Sequence, residues 1–179
     1  MRLINGKFGG RKIFVPNNLP IRPTTSLAKE ALFNIISNKR DLRNLKIIDL
    51  FSGSGLIGLE FISRGSDVIF VEKNIKCINH ISKTLKSLNL NNNTIRSDVF
   101  KYLKNSNKKF DFVFADPPYK FTKDQYHHLV ELISKNHLEI NGTFILEHHK
   151  KQNFSKILEF EDSRTYGDCS FSFFQQKSG

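Results

Sequence analysis

The sequence predicts an α/β fold built on a mainly parallel sheet with helices on both faces. Three observations carry this. From residue 46 onward, runs rich in Ile, Val and Phe alternate with segments of helical periodicity. Three acids, Asp49, Glu72 and Asp98, close successive strand-type runs, where open sheets of this kind bind ligands. Gly53, Gly55 and Gly58 stand between the first such run and the helix after it.

In chain order, residues 2–15 read as a short hairpin, with arms Arg2–Ile4 and Lys12–Val15 and with Gly6, Gly9 and Gly10 as turn residues. Pro16, Asn17, Asn18 and Pro20 end it. Thr24, Thr25 and Ser26 suit a helix cap, and Ala28, Ala31, Leu32, Ile35 and Ile36 recur at helical spacing, so a helix is expected over 26–38. Strands follow at 46–51 and 67–72, with a loop and helix from Gly53 to Ser63 between them. The next helix carries Ile75, Ile78, Ile81, Leu85 and Leu88 on one side and lysines elsewhere. A short strand near 94–96 precedes Asp98, and a further one spans 110–115. Tyr126, Leu129, Val130 and Ile133 mark a helix, and Gly142–Glu147 a strand. The last two strands are expected at Ile157–Phe160 and Ser170–Phe174, joined through Tyr166-Gly167-Asp168. The organisation is an N-terminal hairpin and helix over 1–40, then a main domain over 41–179.

The chain of 179 residues suffices for one full core. Its net charge of +11 and pI near 9.7 favour polyanions, nucleic acid before membrane, although some lysines only solvate the surface. No apolar run reaches the roughly 18 residues of a membrane span, and the first residues lack the apolar centre of a signal peptide. Cys77 and Cys169 match no metal-ligand spacing and read as reduced thiols of a cytoplasmic protein. The adjacent pairs His127-His128 and His148-His149 point their rings apart, so surface positions and no metal site are expected.

Chemistry concentrates in two stretches. Asp49 to Gly58 contains G-x-G-x-x-G after a strand, the pattern of a dinucleotide site. Asp49, however, places a negative charge where a pyrophosphate would approach the helix N-terminus. A cationic cofactor resolves the conflict. S-adenosylmethionine carries a sulfonium and an ammonium that an acid-lined loop favours; Asp49, Phe51, Gly53 and Gly55 would form that loop, Glu72 take the ribose and Asp98 the adenine amine. Each acid could alternatively cap a helix or sit solvated at a strand end. Their recurrence at three successive strand ends favours a site.

The second stretch is Asp116-Pro117-Pro118-Tyr119, at the end of Phe110–Ala115. Two prolines remove two backbone donors and fix φ, so the chain leaves the sheet in one stiff shape. A carboxylate, free carbonyls and an aromatic ring remain. That set accepts hydrogen bonds from the amino group of a flat base while Tyr119 stacks on it. Asp116, across the strand-order switch from Asp49, would face the cofactor as well. Lys7, Arg11, Lys12 and Arg22, with Arg2 and interleaved Phe8 and Phe14, form the densest basic segment, a candidate RNA-docking face through phosphate contacts.

The two stretches resemble the class I methyltransferases that modify exocyclic amines, whose [DN]-P-P-[YF] motif matches 116–119. Asn5-Gly6 through Gly10-Arg11-Lys12, and Arg22-Pro23-Thr24-Thr25 with Glu30, Leu32, Phe33 and Asn34, resemble the N-terminal segment of the bacterial 16S rRNA guanine-N2 methyltransferase family RsmD. The order holds over nearly the whole chain, Ser52 being one departure where alanine is expected in many relatives. The resemblance implies a Rossmann-like sheet, mostly parallel with its last strand antiparallel, and the N-terminal hairpin and helix at the substrate side. It implies S-adenosylmethionine as cofactor. It also implies a guanine of 16S rRNA as target, within the 30S subunit or an assembly intermediate; the chain is expected to act as a monomer. By position, Asp49, Gly53, Gly55, Glu72 and Asp98 would hold the cofactor and Asp116, Pro117, Pro118 and Tyr119 the base. The residues alone leave four other readings open, of which a protein-amine or small-molecule methyltransferase fits the +11 charge poorly and an NAD enzyme fits least. A DNA adenine-N6 methyltransferase would use the same four residues but lacks length for a recognition module. An RNA-binding assembly factor would leave the cofactor loop vestigial.

Overall fold

The computed structural model describes residues 1–21, 25–91 and 93–176. Its elements are α1 (Ser26–Lys39), β1 (Lys46–Leu50), α2 (Leu56–Ser63), β2 (Asp67–Glu72), α3 (Ile75–Ser87), β3 (Thr94–Arg96), α4 (Val99–Lys104), β4 (Phe110–Ala115), α5 (Lys123–Asn136), β5 (Leu138–His149), β6 (Phe160–Tyr166) and β7 (Cys169–Gln175). One seven-stranded sheet runs in the order β3-β2-β1-β4-β5-β7-β6. β1 pairs in parallel with β2 and β4, and β4 in parallel with β5. β7 is antiparallel to both β5 and β6. The direction of winding reverses between β1 and β4, which opens a crevice at their carboxyl ends.

Why the centre is parallel and buried follows from its residues. Alternate side chains of a strand face opposite sides, and both sides here are apolar. Ile47, Phe112, Phe114, Ile145 and Phe173 join one core with α1, α2 and α3. Ile48, Leu50, Val113, Ala115 and Phe144 join the other with α4 and α5. Asp49, on β1 and facing the first core, is a buried polar side chain, only 1% exposed.

The N-terminal hairpin is present as one antiparallel bridge, Arg2 to Lys12, with Met1 and Ile13 exchanging backbone hydrogen bonds and Gly10 donating to the Leu3 carbonyl. It lies along α2. The Ile4 N–H donates to Glu60 Oε1 at 2.7 Å, and farther along the Lys7 N–H donates to the Ser63 carbonyl at 2.6 Å. Gly6, at φ +82°, is required there, because a Cβ would stand 1.8 Å from the Ser63 oxygen. Beneath the hairpin, Glu60 is fully buried and accepts from Lys29 Nζ of α1 at 2.8 Å and from Arg64. Lys29 also donates to the Arg2 carbonyl at 2.8 Å. Leu3 and Ile13 complete the same apolar core as the sheet.

Four features differ from expectation. β5 begins at Leu138, four residues before the expected Gly142, and runs on to His149. The strand expected at 157–160 lies instead at Phe160–Tyr166, and Leu158 is 84% exposed. β6 is a sheet edge carrying Glu161, Asp162 and Arg164, so no apolar alternation announces it. The helix α4 was not foreseen, being only six residues long. His148 is not a surface residue. It is buried, with Nε2 2.8 Å from Ser172 Oγ, Nδ1 3.0 Å from the His149 carbonyl and its ring against Phe154. Both faces of β5 are covered, so alternation alone could not carry it outward.

Candidate active site

The loop from β1 to α2 is held by short-range bonds that its sequence dictates. Ser52, buried, places its hydroxyl 2.6 Å from the Asp49 carbonyl and 3.2 Å from that of Val71. Gly53 and Gly55 adopt positive φ of 52° and 74°, and Phe51, a rare non-glycine case, 55°. Gly58 permits closure of helix on strand, since a Cβ there would meet the Phe70 ring at 2.2 Å. Asp49 Oδ2 accepts from the Gly58 N–H at 3.0 Å. Glu72 accepts from the Gly53 N–H at 3.0 Å through one oxygen and from the Asn74 N–H at 2.8 Å through the other. It thereby ties the ends of two crossovers together.

At the end of β4, the Asp116 N–H reaches the Leu50 carbonyl at 3.4 Å, and the Phe121 N–H donates to the Pro118 carbonyl at 2.9 Å. The segment turns back on itself, leaving Pro117 buried, Asp116 half-buried and the Tyr119 ring 56% exposed, 6.3 Å from that of His149. Phe121 in turn stacks on Phe100 at 6.0 Å and meets Phe51 edge-on at 5.5 Å.

These segments converge. Asp49, Phe51, Gly53, Glu72, Asp98, Asp116, Pro117, Pro118 and Tyr119 line one cavity of about 770 Å³. Gly55 stands just behind, where a Cβ would lie 2.9 Å from Ile81. Asp98 accepts from the Lys101 N–H at 3.2 Å, so it caps α4 while facing the cavity. Burial, with the charges of Glu72 and Glu147, pushes the Asp49 carboxyl well above its ordinary value against the opposing Gly58 N–H. Tyr126 is pushed up by burial and by the charge of Asp116.

The hairpin divides. Its root lines the cavity through Met1, the segment after it through Pro20 and Ile21, and α1 through Ser26 and Lys29. Its tip, with Lys7 and Arg11, lies at the far ends of α2 and α3, where Arg11 donates to the Ser87 carbonyl at 3.3 Å. Lys12 pairs across the hairpin with Arg2 and is exposed. Arg22 lies outside the described residues. Lys29, Phe100 and Phe121 of the cavity wall were not singled out in the sequence. Lys29 sits in an otherwise apolar helical stripe, and that was the one readable signal.

Comparison with known proteins agrees with this architecture. Residues 1–175 match the family model described as conserved hypothetical protein 95. Ribosomal RNA small subunit methyltransferase D of Buchnera aphidicola subsp. Baizongia pistaciae is 35% identical over 157 residues, 86% of this chain and 78% of that protein. Among solved structures, a hypothetical protein of Thermus thermophilus superposes with TM-score 0.84 at 24% identity, covering 97% of this chain and 98% of that one. The 16S rRNA N2 G1207 methyltransferase of T. thermophilus, in complex with AdoMet and guanosine, superposes with TM-score 0.74 at 18% identity, covering 99% of this chain and 49% of that one. These two likenesses establish the fold, that of class I methyltransferases. The family match and the relative's coverage establish more: the chain belongs to the conserved hypothetical protein 95 family, the RsmD family that its N-terminal block and Asp116–Tyr119 resemble.

Proposed function

We propose that this protein transfers a methyl group from S-adenosylmethionine to the exocyclic N2 amine of a guanine in small-subunit rRNA. The observation that carries the reading is that Asp116–Tyr119 and the three strand-end acids share one cavity. The name of the 35% identical relative supports an rRNA substrate. The AdoMet and guanosine bound by the structural neighbour support the cofactor and the base.

The residues present fit a cationic cofactor. Asp49 and Glu72 flank a loop whose backbone comes close, and the cavity volume lies within the range of small-molecule sites. When bound, S-adenosylmethionine supplies an electrophilic methyl on a sulfonium. The chain's own contribution is positioning. An amine conjugated to a purine is a weak nucleophile because its lone pair is delocalised. A hydrogen bond from that NH2 to the Asp116 carboxylate draws it toward pyramidal geometry and aims it. Tyr119, exposed at the cavity mouth, stacks the base, worth about 1–3 kcal/mol in single-strand binders. The proton the amine sheds leaves to Asp116 or to water. The base must enter unpaired or flipped. Residues 1–40 serve as the RNA-docking extension, with Lys7, Arg11, Lys12 and Arg22 on phosphates. The particle offered is the 30S subunit or its precursor, met by a monomer.

The test is transfer of labelled methyl to 30S particles lacking the modification, with naked 16S rRNA and duplex DNA alongside, and mass spectrometry of the product nucleoside. N2-methylguanosine is expected; label confined to DNA adenine would overturn the reading. Asp116→Ala should abolish transfer while leaving cofactor affinity within a few-fold. Equal loss of both would make Asp116 a structural residue instead.

A further inference from the structure

Two stretches of this chain lack any carboxylate for more than twenty residues: 1–29, with six Lys and Arg, and 73–97, with five. They are far apart in sequence, yet the fold joins them. Arg11, near the hairpin tip, donates from its guanidinium to the Ser87 carbonyl at the last turn of α3, at 3.3 Å. On α3 itself, Lys76, Lys83 and Lys86 follow i, i+7, i+10 spacing, so they share one face. All three are exposed, opposite the buried Ile81 and Leu85. Lys83 and Lys86 border a groove completed by Ser82, Asn89 and Leu90. Lys73, just before the helix, lines the cofactor cavity.

We propose that this stripe, from Lys73 through Lys83 and Lys86 to the hairpin tip, is a second RNA-binding surface that tracks the phosphate backbone outside the catalytic cavity. The inference rests on the reading of RNA as substrate. Charge complementarity names the occupant. A row of cations with no interspersed acid is poorly suited to a protein partner of mixed charge, and is what a polyphosphate requires. Surface lysines on a merely solvated helix are usually offset by acids at i±4, and α3 has none. The helix is about 20 Å long at 1.5 Å per residue. It carries the contact from the cavity rim to the opposite end of the sheet, so the stripe would hold RNA several nucleotides away from the target base. The exposed amide of Asn89 adds donors at the groove without sequence preference.

The experiment is steady-state methylation of 16S rRNA as a function of salt, for the native chain, for Lys83→Gln/Lys86→Gln, and for a control, Lys123→Gln/Lys135→Gln, on α5 across the sheet. Each phosphate contact contributes about 0.7–0.9 to the slope of log affinity against log salt. The α3 variant should therefore flatten the slope by roughly 1.4–1.8 and raise the RNA KM several-fold. Its kcat and its cofactor affinity should stay within two-fold of the native values, as should every parameter of the control. An α3 variant with the native KM and slope overturns the proposal. Filter binding of the same RNA separates this from the methyltransferase reading. RNA binding that weakens in the α3 variant, without methyl transfer by the native chain, would remove that reading and leave the surface standing.

Discussion

At the scale of single residues, Asp49 is the most informative. Its carboxyl is held well above its ordinary value, chiefly by burial. A group whose folded pKa exceeds its unfolded one contributes stability at low pH and loses it as pH rises through the folded value. Ionisation of the side chain therefore works against the free protein, and a cation in the cavity would oppose that loss. Asp49→Asn keeps an oxygen for the Gly58 N–H. It should raise the melting temperature of the free protein at pH 7 by roughly 2–4 °C, the equivalent of about 1 kcal/mol in a chain of this size. S-adenosylmethionine affinity should fall at least ten-fold, and native affinity should climb with pH through the range in which Asp49 ionises. Thermal shift with and without cofactor reads both, and a variant that melts lower while binding normally would show Asp49 to be purely structural. Cys77 offers a second test. It lines the cavity, and burial together with the Glu72 charge pushes its thiol up to about 11. In a Cys169→Ser background, alkylation at pH 7.5 should run about two orders of magnitude slower than for a free thiol. A rate equal to that of a free thiol would contradict the environment described for α3.

At the scale of elements, the Lys29–Glu60–Arg64 cluster joins α1, α2 and the hairpin. Breaking a buried pair costs more than the pair contributes, because one charge is left behind. Lys29→Met should cost about 3 kcal/mol in urea unfolding, the lower end for such losses since Arg64 still faces Glu60. A cost below about 0.5 kcal/mol, the level of a surface substitution, would place the pair in water rather than under the hairpin. The elements themselves differ in how far the sequence announces them. β3 lies at 94–96 as its residues predict, and the first, second and fourth strands agree to within one residue. Each is an apolar run closed by an acid or turn residue. β6 escapes because an edge strand needs no apolar face, and α4 because six residues hold too little periodicity. Phe51 at positive φ is invisible in a pattern that expects glycine there. Buried His148 is equally hidden, its burial depending on Phe154 and on β7, far along the chain.

At the scale of the molecule, the shared cavity is legible because the acids that line it sit where strands end, and strand ends follow from the alternation. The position of the hairpin is not, since it depends on Gly6 fitting against Ser63 and on Glu60 receiving Ile4. That docking has a consequence for the whole fold. Leu3, Ile13 and the apolar face of α1 belong to the same core as Ile47, Phe61 and Phe112, and Met1 and Ile21 wall the cavity. The N-terminal forty residues are thus not separable in stability from the rest of the chain. A single cooperative unit is expected, in which far-UV ellipticity and tyrosine fluorescence follow one urea curve. Removal of residues 1–21 should expose Phe33 and Phe61 and strand the Glu60 carboxylate without its Ile4 donor, leaving a chain that binds the dye ANS and melts without a sharp transition. Recovery of a cooperative, cofactor-binding fragment after that deletion would show that the hairpin is an accessory laid on a complete fold, and that the two acid-free stretches meet only by docking.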